Sequence, residues 1–348
     1  MLLILLLLLP NLGAQEVAEP QDDIKAASEE VSRDETEKQS DPASLTSGSD
    51  SGDITEMSGP SAVYAIVDLL SRSVDVLLET WMVESPPALM YLETGLDFYH
   101  VYQLQLVCAE QLNYFQLNIG IRPIPLIASM PIEYVPQDVV KLAELMIREL
   151  QMTAVEIGLE NMPEQIKFFQ NKTPTDVAEE TLRAYRKLRA LNGQLEVSPS
   201  EVYAHIVRAV ADGKSILRQI DPACRYRIDA PISAEGRTAR DILNSCLEAR
   251  QEINDFRKGD TILPLIPVPI LPESQDVTPD DVFLQVQILI AELNLIKFST
   301  NTISSTPLPV LVSGKTPKDA HQKVFELRYI ISQAPSLIKL VAEMKRLN

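Results

Sequence analysis

The sequence predicts an all-α protein: two tandem four-helix-bundle-like repeats, preceded by a signal peptide and a disordered acidic segment. Three observations carry this. Helix starts of one chemical type recur along the chain. After each start the apolar residues step by four, three, four, three, which is the seam of helices packed in a bundle. The starts also recur in the same order at nearly constant offsets: Pro60 to Pro199 is 139 residues, and Pro136 to Pro279 and Pro174 to Pro317 are 143 each. Twelve glycines against 24 prolines fit helices begun by proline and argue against an all-β chain with many tight turns.

From the N-terminus, Met1 to Ala14 is an apolar leucine run ending in small residues. It is too short to span a bilayer and has the pattern of a secretory signal cleaved after Ala14, although no Lys or Arg precedes it. Residues 15–58 lack apolar periodicity. Between Gln15 and Gly59 there are 13 acids and three bases, which puts −10 of the chain's −18 in this stretch. Such a segment buries too little to offset its ordering entropy, so a disordered acidic linker is expected.

Repeat A is assigned to residues 59–196 and repeat B to 197–348. In repeat A the seams are Val63, Val67, Leu70, Val74, Leu77; Val101, Leu104, Cys108, Gln111, Phe115; Val139, Ala143, Met146, Leu150, Thr153; and Val177, Thr181, Ala184, Leu188, Leu191. In repeat B they begin at Val202, Ala239, Val282 and Ala320. Thr173-Pro174-Thr175-Asp176 shows the start at its clearest. Thr caps free backbone N–H groups, Pro occupies a position that needs no N–H, and the acid at the third helical position faces the positive helix end. The second helix of each repeat lacks the proline. The connections around 119–135 and 258–278 are rich in proline and aliphatic residues. Extended, they are long enough to run the length of a helix, so a crossover topology is open as well as an up-and-down one.

Little in the sequence carries chemistry. Cys108, Cys224 and Cys246 are expected to be buried thiols or a disulfide pair, with the pairing undecided; no Cys-x-x-Cys occurs. His100, His205 and His321 have no second ligand at helical spacing, so no metal is expected. There is no nucleophile elbow, phosphate loop or dinucleotide fingerprint, so neither an enzyme nor a cofactor is expected. Glu149 and Glu292 are equivalent and are expected on the bundle flank, as are Tyr64 and Tyr203; Trp81 is expected at the edge of the core. The run Arg183, Arg186, Lys187, Arg189 is expected to be a solvated face that could serve as an interaction surface.

The charge balance excludes nucleic acid as a partner, since phosphates would be repelled. After signal cleavage no integral membrane span is expected. The function expected is that of an exported, non-enzymatic helical protein, periplasmic or secreted. It would act as a protein-interaction or scaffold module of the cell envelope, with an unidentified protein partner or self-association. The alternative is a small-molecule-binding or sensor domain with a pocket in or between the bundles, suggested by the small seam residues Ala184, Ala209, Gly213 and Ala249.

Overall fold

A computed structural model describes residues 59–86, 93–125, 128–220, 235–257, 266–270 and 276–347. The signal peptide and acidic linker expected at 1–14 and 15–58, and Cys224, lie outside them. The described residues hold eight helices and no strand: α1 (Pro60–Thr80), α2 (Phe98–Asn118), α3 (Pro136–Glu156), α4 (Pro174–Leu191), α5 (Pro199–Ile220), α6 (Ala239–Arg257), α7 (Pro279–Ser299) and α8 (Pro317–Leu347).

Local chemistry sets the starts. Thr173 and Asp176 exchange hydrogen bonds with each other's backbone N–H, and so do Thr278 with Asp281, Thr316 with Asp319 and Ser198 with Glu201. The two helices without proline use the same device. Thr238 and Asp241 cap α6. At α2, Asp97 accepts from the Phe98 N–H, and its own N–H donates to His100 Nδ1. The last helix, α8, continues to Leu347.

Helix direction follows from which residues meet. On α1 and α4, Tyr64 donates to Glu180 near the starts, and Lys187 reaches Ser71 and Asp75 farther along. Thr175 meets Leu96 ahead of α2, and Asn192 after α4 meets Gln111 of α2. Tyr102 stacks on Tyr134 just before α3, and Gln116 donates to Thr153 near its end. The first four helices therefore run the same way. Each connection between them (residues 81–97, 119–135 and 157–173, seventeen residues each) returns the chain to the starting end. At about 3.3 Å per residue, seventeen residues reach well beyond the roughly 30 Å of a 21-residue helix. The pairs 197/280, 205/287 and 212/297 make α5 and α7 parallel. Pairs 200/315 and 214/326 do so for α5 and α8, and 245/321 and 252/328 for α6 and α8.

Neighbours follow one scheme. α1 packs on α3 and α4, and α2 does the same; α5 packs on α7 and α8, and α6 does the same. Several contacts recur. Ser61 Oγ accepts from the Lys172 N–H and Ser200 Oγ from the Lys315 N–H. Lys172 lies over the Tyr64 ring and Lys315 over the Tyr203 ring. Asn113 donates to the Ile124 carbonyl and Asn254 to that of Ile266.

Residues 192–198 join α4 to α5, and Arg189 near the end of α4 pairs with Glu201 at 2.6 Å. The second set of helices runs opposite to the first. As α2 advances from His100 to Gln103, its partners on α7 step back from Glu292 to Gln287. α2 and α7 each pack in their own set and against one another, which explains why both are buried almost all round. By length and composition α7 could cross a membrane, yet 83% of that window is buried inside the protein.

The seams are filled. Ala184, Ala209 and Ala249 are fully buried. A Cβ on Gly213 would lie 3.0 Å from Ile330 Cγ2 and Leu327 Cδ1, so α5 and α8 approach there as only glycine permits without a shift. The gap beside it, about 10 Å³, is at or below the minimum for one water.

Candidate functional site

A larger space lies where the two sets of helices meet. A cleft of about 510 Å³ is walled by α2 (Val107, Glu110, Gln111, Tyr114), Tyr185 of α4, Glu201 and His205 of α5, Phe283 of α7, and residues 309–314 of the α7–α8 connection.

Helix spacing places Glu110 and Tyr114 on one face of α2. Glu110 is only 8% exposed. Arg208 Nη1 approaches its Oε1 to 3.5 Å, but the Arg208 hydrogen bonds go elsewhere. Nε donates to the Pro307 carbonyl at 2.8 Å and Nη1 to His205 Nδ1 at 2.9 Å. Burial pushes the Glu110 carboxyl above the usual range, with only partial relief from Arg208.

His205 is held by a relay that crosses between the two sets. Gln103 Nε2 donates to Gln287 Oε1, and Gln287 Nε2 donates to His205 Nδ1, each at 2.9 Å. Two donors on Nδ1 leave the proton on Nε2. Burial first, then Arg208 and Arg189, lower its pKa well below the usual value, so the ring is neutral and a poor base. Glu201 takes Arg189 on one oxygen and the Ser198 N–H on the other. Burial alone would raise its pKa, and these bonds lower it. Tyr114 is 38% exposed. Burial, followed by the charges of Glu110 and Glu201, raises its phenol pKa. The cleft wall thus carries a carboxyl with a raised pKa and a neutral imidazole.

Two buried charge networks flank α7. Arg250 grips Glu93 through both terminal nitrogens (2.6 and 2.8 Å) and Glu292 through Nε at 2.9 Å, and Gln285 completes the cluster. The expectation that Glu292 sits on the flank is thereby corrected: it is buried, on a helix packed on three neighbours. Its counterpart Glu149 is partly exposed. Burial would raise the Glu292 pKa, but the attraction of Arg250 prevails and holds it at about 2. Farther along, Lys297 Nζ meets Asp212 at 2.6 Å, and Asp212 accepts from the Thr306 hydroxyl at 2.8 Å.

The basic run does not form one solvated face. Arg183 stays outside, paired with Glu179 and Glu180, and Arg186 is half-buried. Lys187 and Arg189 are buried, the first on Ser71 and Asp75, the second on Glu201. Helical stepping turns these two inward, a distinction the run of charge does not reveal.

Cys108 and Cys246 are buried free thiols in separate sets, not a disulfide with each other; Cys108 donates to the Thr181 carbonyl. Burial raises both thiol pKa values, that of Cys246 to about 12. Iodoacetamide is therefore expected to leave both unmodified in the native protein and to alkylate both after denaturation. Rapid native labelling of either, read by peptide mass, would contradict the burial described. Among the described residues no cluster of three His, Cys, Asp or Glu side chains could hold a metal ion. Tyr64 is half-buried, while Trp81 sits partly exposed edge-on to Phe115.

No family model, curated protein or solved structure matches this chain.

Proposed function

We propose that the chain is an exported, non-enzymatic binding protein, periplasmic or secreted, built as two tandem four-helix repeats, that takes its ligand in the cleft where the repeats meet. Export is argued from the apolar run Met1–Ala14 and the acidic stretch behind it. Duplication is argued from the common neighbour scheme and the recurring contacts of Ser61 and Ser200, Tyr64 and Tyr203, Asn113 and Asn254.

One observation carries the binding reading. Glu110 is nearly buried, lines the cleft, and beyond its ion-pair contact with Arg208 accepts no hydrogen bond from any described residue. Such a carboxylate, held by charge to Arg208 but without a protein hydrogen bond, has acceptor capacity left for donors on a ligand in the cleft. Filled seams favour this cleft over a pocket inside either repeat.

A second reading, protein interaction, is favoured by the apolar side chains Leu308, Val310, Leu311 and Val312, all exposed beside the cleft mouth. It describes the partner end of the same site.

Ser313 is exposed on the cleft wall, and neither its side chain nor its backbone makes a hydrogen bond that Ser313→Trp would break. In a thermal-shift screen of small polar compounds and short peptides, some compounds are expected to raise the melting temperature of the wild-type chain. With Ser313→Trp the same shifts should vanish while the ligand-free melting temperature stays unchanged. Shifts that survive the tryptophan, or their absence across the screen, would overturn the cleft as the binding site.

A further inference from the structure

Resting on that reading of the cleft, we infer that the group it recognises is an alkylammonium, the chemistry of a lysine side chain or a free diamine, with the nitrogen on Glu110 and the methylene stem against Tyr114.

Glu110 is only 8% exposed and lines the cleft. Its single cationic neighbour, Arg208, stands at 3.5 Å and spends Nη1 and Nε on His205 and Pro307. The carboxylate is nearly buried, with an ion-pair contact to Arg208 but no hydrogen bond from it or from any other described residue. An ammonium brings three donors and the opposite charge. A neutral amide or hydroxyl would bring donors only.

The remaining lining selects the same class. Glu201 is a second carboxylate in the wall, and no Lys or Arg is among the described residues that line the cleft. An anionic ligand would meet two carboxylates there and no cation it can reach. Tyr114, Tyr185 and Phe283 provide the other surfaces. Tyr185 and Phe283 are stacked with ring centroids 5.5 Å apart and are buried, so they serve as a fixed apolar wall. The Tyr114 ring is exposed at the rim, four residues from Glu110 on the same helix face. An aromatic face accepts both methylenes and cationic charge. A cleft of about 510 Å³ readily takes a stem of four or five carbons. Both sources of an alkylammonium share this chemistry, and the apolar residues 308–312 at the mouth add a wall along which a peptide could lie.

The test is calorimetric titration of the full chain with two probes, cadaverine and Nα-acetyl-lysine methylamide, and with the Nε-acetylated form of the second. Saturable one-to-one binding is expected for at least one amine and none for the acetylated form. Glu110→Gln, which keeps shape and removes charge, should weaken binding by about tenfold or more. Should that variant fail to fold, Tyr114→Leu at the rim is expected to weaken the same probe several-fold. Tighter binding of the lysyl probe assigns the site to a protein-borne lysine; tighter binding of cadaverine assigns it to a free amine. The inference is overturned if neither amine binds, or if Glu110→Gln binds as wild type does. If neither amine binds but another compound binds in a manner blocked by Ser313→Trp, the ammonium assignment falls and the cleft stands. If nothing is blocked by the tryptophan, both fall.

Discussion

Replacing Arg250 by alanine is expected to cost about 3–5 kcal/mol of folding stability, the range for stripping one partner from a buried ion pair. Arg250 is fully buried between Glu93 and Glu292, which are themselves almost completely buried. Alanine would leave two carboxylates facing each other in the interior. The loss exceeds what side-chain volume alone predicts, and a control separates the two. Arg250→Met combined with Glu93→Gln and Glu292→Gln removes the charges together and is expected to recover part of the stability. Urea midpoints read at neutral pH measure both, and a loss below about 1 kcal/mol for the alanine variant would show that the network is not desolvated as described.

The same network gives a pH dependence of definite sign. The folded-state pKa of Glu292, about 2, lies below the value of about 4.3 for an unperturbed glutamate. The ion pair therefore contributes in full above about pH 4.3, and its contribution is lost as pH falls toward 2. Wild-type protein should lose stability across that window, and the Arg250 variant should lose less. Equal slopes in the two proteins would exclude Glu292 as the source.

The second large effect is expected at Lys297. Its ammonium is fully buried on Asp212, which is also held by the Thr306 hydroxyl. Burial raises the Asp212 pKa and lowers that of Lys297, each toward the neutral form, so the pair survives by mutual attraction. Lys297→Met should cost about 3–5 kcal/mol because Asp212 remains unpaired. Adding Asp212→Leu should restore much of it, since a neutral apolar pair needs no compensation.

Location makes the loss readable. Asn294 donates to Ser129 Oγ and to Thr306 Oγ1, and the Thr306 N–H donates to the Ser129 carbonyl. The α2–α3 and α7–α8 connections are thus joined to α7 beside this pair. Hydrogen exchange should report faster opening around Thr306 in Lys297→Met than in the double variant. Equal stability and equal exchange in the two would disprove the role given to the pair.

The candidate site was legible only in part. Small seam residues suggest a pocket in or between the bundles, yet Gly213 is where two helices touch, and the space beside it is taken by Leu327 and Ile330. The basic run in α4 suggested a surface, but two of its four cations point inward to acids on α1 and α5. Glu110 drew no notice because one glutamate on a helix resembles any solvated charge until its neighbours are known. A weak signal was available in the unusual number of amides and acids on α2 and α7, helices too apolar all round to have a water-facing side.

By itself the sequence determined the eight helices, most of their starts and the face each turns inward. These are set within one or two turns, by a capping hydroxyl, a proline, an acid three residues on and an apolar residue every third or fourth position. Only the tertiary structure decided that the helices of each set run the same way, that the two sets are opposed, which polar residues are buried together, and where a cleft remains. Connections of seventeen residues can reach either end of a helix, so local chemistry leaves direction open. The ion pairs join residues far apart in the chain, as Glu93 and Arg250 do at a separation of 157. Their meeting depends on how whole helices pack.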